Sequence, residues 1–286
     1  MQTLSLCMIV KDEERTLPGC LDSVAGLQPE IIIVDTGSTD ATREIALSRG
    51  AKVSEFDFSF VDFAAARNRG LALATGRWIL VLDSDETLLA ESVPLVEQMV
   101  SRDENAGYYF ERVNERADAQ APSTDFAVRL FPNRPGYRYR GRVHETIDAS
   151  ILAGGGRLVR SGIRIRHDFS GDAESRRERN LRYIGILNEE IAADPGDHTR
   201  LIFLAAEYHQ LGMLDEATRI SERIVAMRPL DPAAHLQAAA YHLLYQGDYR
   251  RARADCEEAL RLRPGDTEAR SMLDLIDEQE HATSAS

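Results

Sequence analysis

The period of hydrophobic and polar positions changes repeatedly along the first hundred residues. Leu4–Val10 is a continuous apolar run of strand length, and within 13–24 the apolar Leu17, Leu21 and Val24 fall at helical spacing. Glu30–Asp35 is a branched run, the pattern of a strand buried on both faces. It leads through Thr36-Gly37-Ser38-Thr39-Asp40, a turn with a helix-start residue at Asp40, into a helix over 41–48 that Gly50 stops. A third strand is predicted over 51–56, a helix over 63–74 that ends at Gly76, and a fourth strand over 77–82 that runs straight into Asp83-Ser84-Asp85. This order, β-α-β-α-β-α-β, predicts an α/β fold: an open, Rossmann-like, mostly parallel sheet with helices on both faces. Ligands of such sheets sit beyond the carboxyl ends of strands, so Asp35, Asp83 and Asp85 fall where a site is expected.

The pattern over 106–170 is less regular. Strands are predicted over 107–113, 126–131 and 157–166, the last ending at His167, with a short helix over 143–152. From about residue 172 every segment is helical, and it repeats. Asp194-Pro195, Arg228-Pro229 and Arg263-Pro264 are spaced 34 and 35 residues apart, while Gly212/Gly247 and Ala217/Ala252 are each 35 apart. A period near 34 with a small residue in the second helix and a terminal proline resembles the tetratricopeptide repeat (TPR). Two repeats, about 198–231 and 232–266, are flanked by helices over 173–193 and 267–280. The first repeat departs from the motif at Ser221 and Ile224. The expected division is therefore a first domain over 1–171, an all-α TPR-like region over 172–280 and a disordered tail over 281–286.

Composition narrows the class. The chain has 286 residues, 43% of them hydrophobic, enough for a core in each of two domains. Its formal charge of −13, from 34 basic and 47 acidic residues, is opposite to a nucleic-acid footprint. Three cysteines, Cys7, Cys20 and Cys256, form no C-x-x-C pair, which argues against a disulfide framework or cysteine-rich zinc site and makes the cytoplasm the expected compartment. The N-terminal apolar run meets Lys11-Asp12-Glu13-Glu14 too early for a signal peptide. No window approaches the roughly 18 apolar residues of a spanning helix, leaving peripheral contact as the one membrane mode.

Asp83-Ser84-Asp85 carries the chemistry. Two carboxylates two residues apart at a strand end can share one hard cation, Mg²⁺ or Mn²⁺, whose remaining positions suit phosphate oxygens and water. Such a cation can bridge and neutralise a departing diphosphate. The alternative for a lone D-x-D is a solvated loop pair.

The segments LSLCMIVKDEERTLPGCLDSV, EIIIVDTGSTDATREIA, FAAARNRGLALATGRWILVLDSDE and GRVHE together resemble family 2 glycosyltransferases, and most closely bacterial members carrying TPRs, a group that includes peptide S-glycosyltransferases. The resemblance covers about 170 residues plus the repeats. It implies a GT-A fold, a nucleotide-sugar donor (a UDP-sugar favoured), a divalent metal (Mn²⁺ or Mg²⁺), sugar transfer of hexosyl type and inversion at the anomeric carbon. It assigns Val10 and the Lys11-Asp12-Glu13 turn to the edge of the base pocket, Asp35 to base or ribose, and Arg67 and Asn68 to the donor. Asp83 is assigned to ribose and metal, Asp85 and His167 to the metal, and Glu145 to the general base. Structural alternatives stand beside several of these: a strand end and helix N-terminus for Val10 and the turn after it, a turn cap for Asp35, a helix-face charge for Arg67 and a hydrogen-bonded core histidine for His167; Arg129 is placed to reach diphosphate or acceptor, with a core-edge ion pair as the alternative. His144, beside Glu145, departs from the family's acidic pattern.

Other functions fit less well. A nucleotidyltransferase needs a glycine-rich basic first loop, and this chain has an acidic one; a nicotinamide dehydrogenase needs G-x-G-x-x-G, which is missing after the first strand. An inactive GT-A scaffold that presents peptide-binding repeats is the alternative from another class. The expected partners are the donor and a peptide, protein or glycan acceptor reached through the repeats, with a homodimer as the repeats' other use.

Overall fold

The computed structural model describes residues 3–115, 122–168 and 173–284. It divides into two compact units, Met1–Gly171 and Asp172–Ser286.

The first unit opens with β1 (Leu4–Val10), α1 (Leu17–Val24), β2 (Glu30–Asp35), α2 (Thr42–Ser48), β3 (Lys52–Glu55), α3 (Phe63–Leu73) and β4 (Trp78–Val81). The helix predicted from residue 13 starts only at Leu17. Asp12 takes a left-handed φ of 55°, and Pro18 sits in the first turn, where its missing N–H costs no hydrogen bond. β1 pairs in parallel with β2 and β4, and β2 with β3, with Val10 opposite Asp35. Alternate residues feed two cores. Leu6, Met8, Trp78 and Leu80 pack under α1, while Cys7, Ile32, Ile79 and Val81 meet α3 residues Ala64 and Leu71. Each such fully buried side chain contributes about 1.5–3 kcal/mol. Gly76 holds the entry to β4, because a Cβ there would lie 2.6 Å from the Ser5 nitrogen.

The chain continues through β5 (Glu86–Leu88), α4 (Val93–Val100), β6 (Ala106–Glu115), β7 (Ser123–Pro132), α5 (Asp148–Ala153) and β8 (Arg157–Asp168). The sheet has eight strands in the order β3-β2-β1-β4-β7-β6-β8-β5. β7 is antiparallel to β4 and β6, β6 is parallel to β8, and β5 is antiparallel to β8. The parallel half is as the sequence predicts; the other half is mixed. β5 and α4 carry no clear sequence signal, β5 being three residues long. The helix predicted from residue 143 begins at Asp148, because His144 takes φ 49° and Arg140 bridges Thr146, a hairpin-like path incompatible with a helix.

The second unit holds α6 (Ala173–Ala193), α7 (His198–Gln210), α8 (Leu214–Met227), α9 (Pro232–Tyr241), α10 (Tyr249–Leu262) and α11 (Thr267–Ser284). Asp197, Asp231 and Asp266 recur at the repeat period, and each carboxylate accepts from the backbone N–H groups opening the next helix. Gly212 and Gly247 turn the chain between paired helices at φ 71° and 61°. Ala217 and Ala252 are fully buried, as are Ser221 and Cys256 at the next equivalent position. Ser221 meets burial by donating its hydroxyl to the Ala217 carbonyl. The last helix runs to Ser284, four residues into the expected tail; 285 and 286 lie outside the described residues. No helix of the described residues is long and apolar enough to cross a membrane.

Candidate active site

The strand ends bring distant acids and arginines into one network. Arg67 projects from α3 and is buried. Its Nη2 donates to Asp83 Oδ1 (2.5 Å) and its Nε to Glu145 Oε1 (3.0 Å). Arg129, from β7, is equally buried and donates to Asp83 Oδ2 (2.7 Å) and to Glu86. Both Asp83 oxygens thus face guanidinium groups. Burial alone would raise the Asp83 pKa; the two arginines more than offset it and hold the carboxyl far below the usual carboxylate range. Glu86, fully buried, accepts from the Asp83 backbone N–H (3.0 Å), and burial pushes its pKa up. Nη1 of Arg67 and Nε of Arg129 are buried without a hydrogen-bond partner among the described residues, so the site holds donor capacity beyond its own acids.

A second arm starts at Asp85. The β5–β8 pairing sets Glu86 opposite His167, which brings Asp85 Oδ2 to 3.4 Å from His167 Nε2. On the other side β6 sets Asn114 opposite His167, with Asn114 Oδ1 2.7 Å from Nδ1. Asn114 in turn donates to Asp125, which also accepts from Arg112. An amide oxygen only accepts, so Nδ1 carries the proton and the lone pair of the neutral ring lies on Nε2, toward Asp85. A carboxylate oxygen facing an imidazole lone pair fits a divalent cation, Mn²⁺ better than Mg²⁺ because of the nitrogen. Among the described residues no three His, Cys, Asp or Glu side chains converge to hold a metal ion unaided. Asp83 joins such a pair only by sharing an oxygen with Arg67 or Arg129.

The remaining predicted residues have identifiable duties. Asp35, at the end of β2, is buried and accepts from the Gly37 and Ser38 N–H groups, which folds its own turn. The Val10 side chain is in the core and its carbonyl accepts from Thr36. The turn after β1 is latched to the turn after β2: Asp12 accepts from Thr39, and Glu14 accepts from Ala41. Asn68 uses both ends of its amide on the Tyr139 backbone, at 2.9 and 3.0 Å, so it anchors the 137–142 segment beside α3. Glu145 follows the left-handed His144 and is held by Arg67. Sequence reasoning does not single out Glu86, Asn114 or Arg112; for Glu86, an acid directly after D-x-D and entering a strand is a usable signal of a buried partner.

Residues 5–166 match the profile of glycosyl transferase family 2, more than half of the chain. The chain belongs to glycosyl transferase family 2. The α/β unit is its GT-A domain, and the helical unit is a TPR-like array. Among curated relatives, the TPR repeat-containing protein Synpcc7942_0270 of Synechococcus elongatus is 44% identical over 153 residues, 54% of this chain and 37% of that protein. The SPbeta prophage-derived glycosyltransferase SunS of Bacillus subtilis is 25% identical over 230 residues, 75% of this chain and 51% of that protein. The chain thus spans about half or less of the length of these relatives. A solved structure of S. aureus TarS 1–349 in complex with UDP-GlcNAc is 15% identical with a TM-score of 0.49, over 98% of this chain and 92% of that one.

Proposed function

We propose that the chain transfers a hexosyl group from a nucleotide-sugar, a UDP-sugar favoured, to a nucleophile on a peptide, protein or glycan, with inversion. The observation that carries this reading is Arg67, which ties Asp83 at the end of β4 to Glu145 in the loop before α5. One ion-pair network thereby joins an acid expected to face a diphosphate and the acid expected to face the acceptor.

In this reading Glu145 takes the proton of the attacking hydroxyl or thiol, held toward it by Arg67. The new bond to C1 forms as the bond from C1 to the diphosphate oxygen breaks, and the electron pair leaves with the nucleoside diphosphate. Asp85 and His167, with Asp83, would hold a divalent cation, which when bound neutralises the leaving diphosphate. Arg67 and Arg129, with their unpaired buried donors, supply positive charge from the protein side.

The test is donor binding and hydrolysis across a panel of UDP-, GDP- and dTDP-sugars with Mn²⁺. Asp85→Ala should lose hydrolysis by more than about 100-fold, and Glu145→Gln should keep donor binding while losing transfer. Full hydrolysis by Asp85→Ala, or full transfer by Glu145→Gln, would remove the respective role. The full commitment of Asp83 to arginines is the one feature that favours the inactive-scaffold alternative. Absence of binding to every donor would favour that alternative.

A further inference from the structure

Segment 134–142, Arg-Pro-Gly-Tyr-Arg-Tyr-Arg-Gly-Arg, holds four arginines and no acid in a chain of net charge −13. It runs alongside α3. Tyr137 shares a cavity wall with Leu71 near the end of that helix, Tyr139 is pinned by Asn68 midway, and the Arg142 carbonyl accepts from Phe63 N–H at its start (2.8 Å). Along this path burial alternates: Tyr137 and Tyr139 point in, while Arg138 and Arg140 are exposed. That is the period of an extended strand, which sets alternate side chains roughly 6.5 Å apart on one face. Arg134, Arg138 and Arg140 form no ion pair among the described residues, unlike buried Arg67 and Arg129 or the exposed repeat arginine Arg261. Backbone groups of 138, 139 and 140 are already bonded to Ser150, Asn68 and Thr146, so the ribbon is rigid and recognition falls to its side chains. At its start lies a cavity with Leu71, Phe131 and Tyr137 in the wall and Asn133, Arg134 and Arg138 around it. At its end, three residues past Arg142, stands Glu145.

We infer that this arginine ribbon is the acceptor track of the transferase reading, on which it rests, and that it takes an extended peptide with acidic side chains at alternate positions. Carboxylates two residues apart on an extended peptide have the same spacing as Arg138 and Arg140, and the cavity accepts one more beside Arg134. A short acidic segment suits this surface better than a long polyanion, which the chain's overall negative charge repels. The peptide is led toward Glu145, where its nucleophile would be deprotonated.

The experiment uses the full chain and fluorescence anisotropy of a labelled peptide alternating Glu and Ser, against the same peptide with Gln for Glu. The expected result is at least about tenfold tighter binding of the Glu peptide, weakening with salt. Arg138→Gln/Arg140→Gln should remove most of that preference, and the charge-matched Arg219→Gln/Arg261→Gln, on exposed repeat positions, should keep it. Circular dichroism checks that the variants fold, and the single substitutions serve if the pair does not. Equal binding of Glu and Gln peptides, equal loss in both double variants, or tighter binding of a thymidine oligonucleotide through the same arginines would each overturn the proposal. Thermal shifts with nucleotide sugars run in parallel. A chain that holds the Glu peptide but no donor upholds the ribbon and removes the transferase reading; one that turns over donors without Glu preference does the reverse.

Discussion

Asn114 and His167 face each other across the parallel β6–β8 pair, with the amide oxygen 2.7 Å from Nδ1 of the ring. Asp125 accepts from the other end of the amide, so the oxygen cannot turn away from the ring without losing that bond. Asn114 therefore fixes the ring nitrogen that is offered to Asp85. Asn114→Ala should weaken Mn²⁺ binding by about 10–100-fold, measured by calorimetry, with the fold intact. Unchanged affinity would show that the ring is oriented by packing alone.

The Asp85–His167 pair predicts a pH dependence. Burial alone would lower the His167 pKa, but the Asp85 carboxylate outweighs it and raises the pKa above the ordinary histidine value. A raised folded value means the pair stabilises metal-free protein fully at pH below the unfolded value of 6.5 and loses that contribution as pH climbs through the raised value. Metal binding, which needs the neutral ring, should move the opposite way and strengthen over the same interval. By NMR, His167 should titrate above 6.5 in the native sequence and lower in Asp85→Asn.

Arg67 lies between two carboxylates, so its loss leaves half-buried Glu145 without that guanidinium and Asp83 with Arg129 alone. Arg67→Met should destabilise the first unit by roughly 3 kcal/mol or more in denaturant unfolding. The deficit should shrink as pH falls and the acids take up protons. A deficit independent of pH would point to lost packing against Tyr139, over whose ring the guanidinium sits at 5.9 Å, rather than to charge.

Glu30 provides an acid-sensitive lock away from the site. Burial opposes its ionisation, yet Lys52, Ser5 and Thr75 outweigh burial and bring its pKa from 4.5 down to about 2. A depressed folded value gives stability that is complete above 4.5 and lost as pH falls toward 2. Glu30→Gln should cost about 1–3 kcal/mol at neutral pH and flatten the acid limb of the stability curve. An unchanged acid limb would assign the acid loss to other carboxylates.

How far the fold could be read in advance follows from where its information lies. Runs such as Glu30–Asp35 are local and complete, so the parallel half and the helical repeats emerge directly from period and punctuation. β5 was invisible because three residues carry no period; its existence depends on β8, some eighty positions on. The same holds for the site. Asp83 and Asp85 announce themselves by following a buried strand. Arg129 meets Asp83 only once the antiparallel β4–β7 pairing forms, and Asn114 meets His167 only across the parallel β6–β8 pair, while the anchoring of the Tyr139 backbone by the Asn68 amide depends on a loop some seventy residues away.

The placement of β5 also has a consequence for biosynthesis. Its neighbour in the sheet, β8, ends at Asp168, and synthesis proceeds from the amino end. While the ribosome is still making residues before that point, Asp85 has no histidine to face, even though β1 to β4 are already made and free to pair. The Asp85–His167 pair, and with it the cation site proposed on that pair, can therefore form only once the last strand has left the exit tunnel.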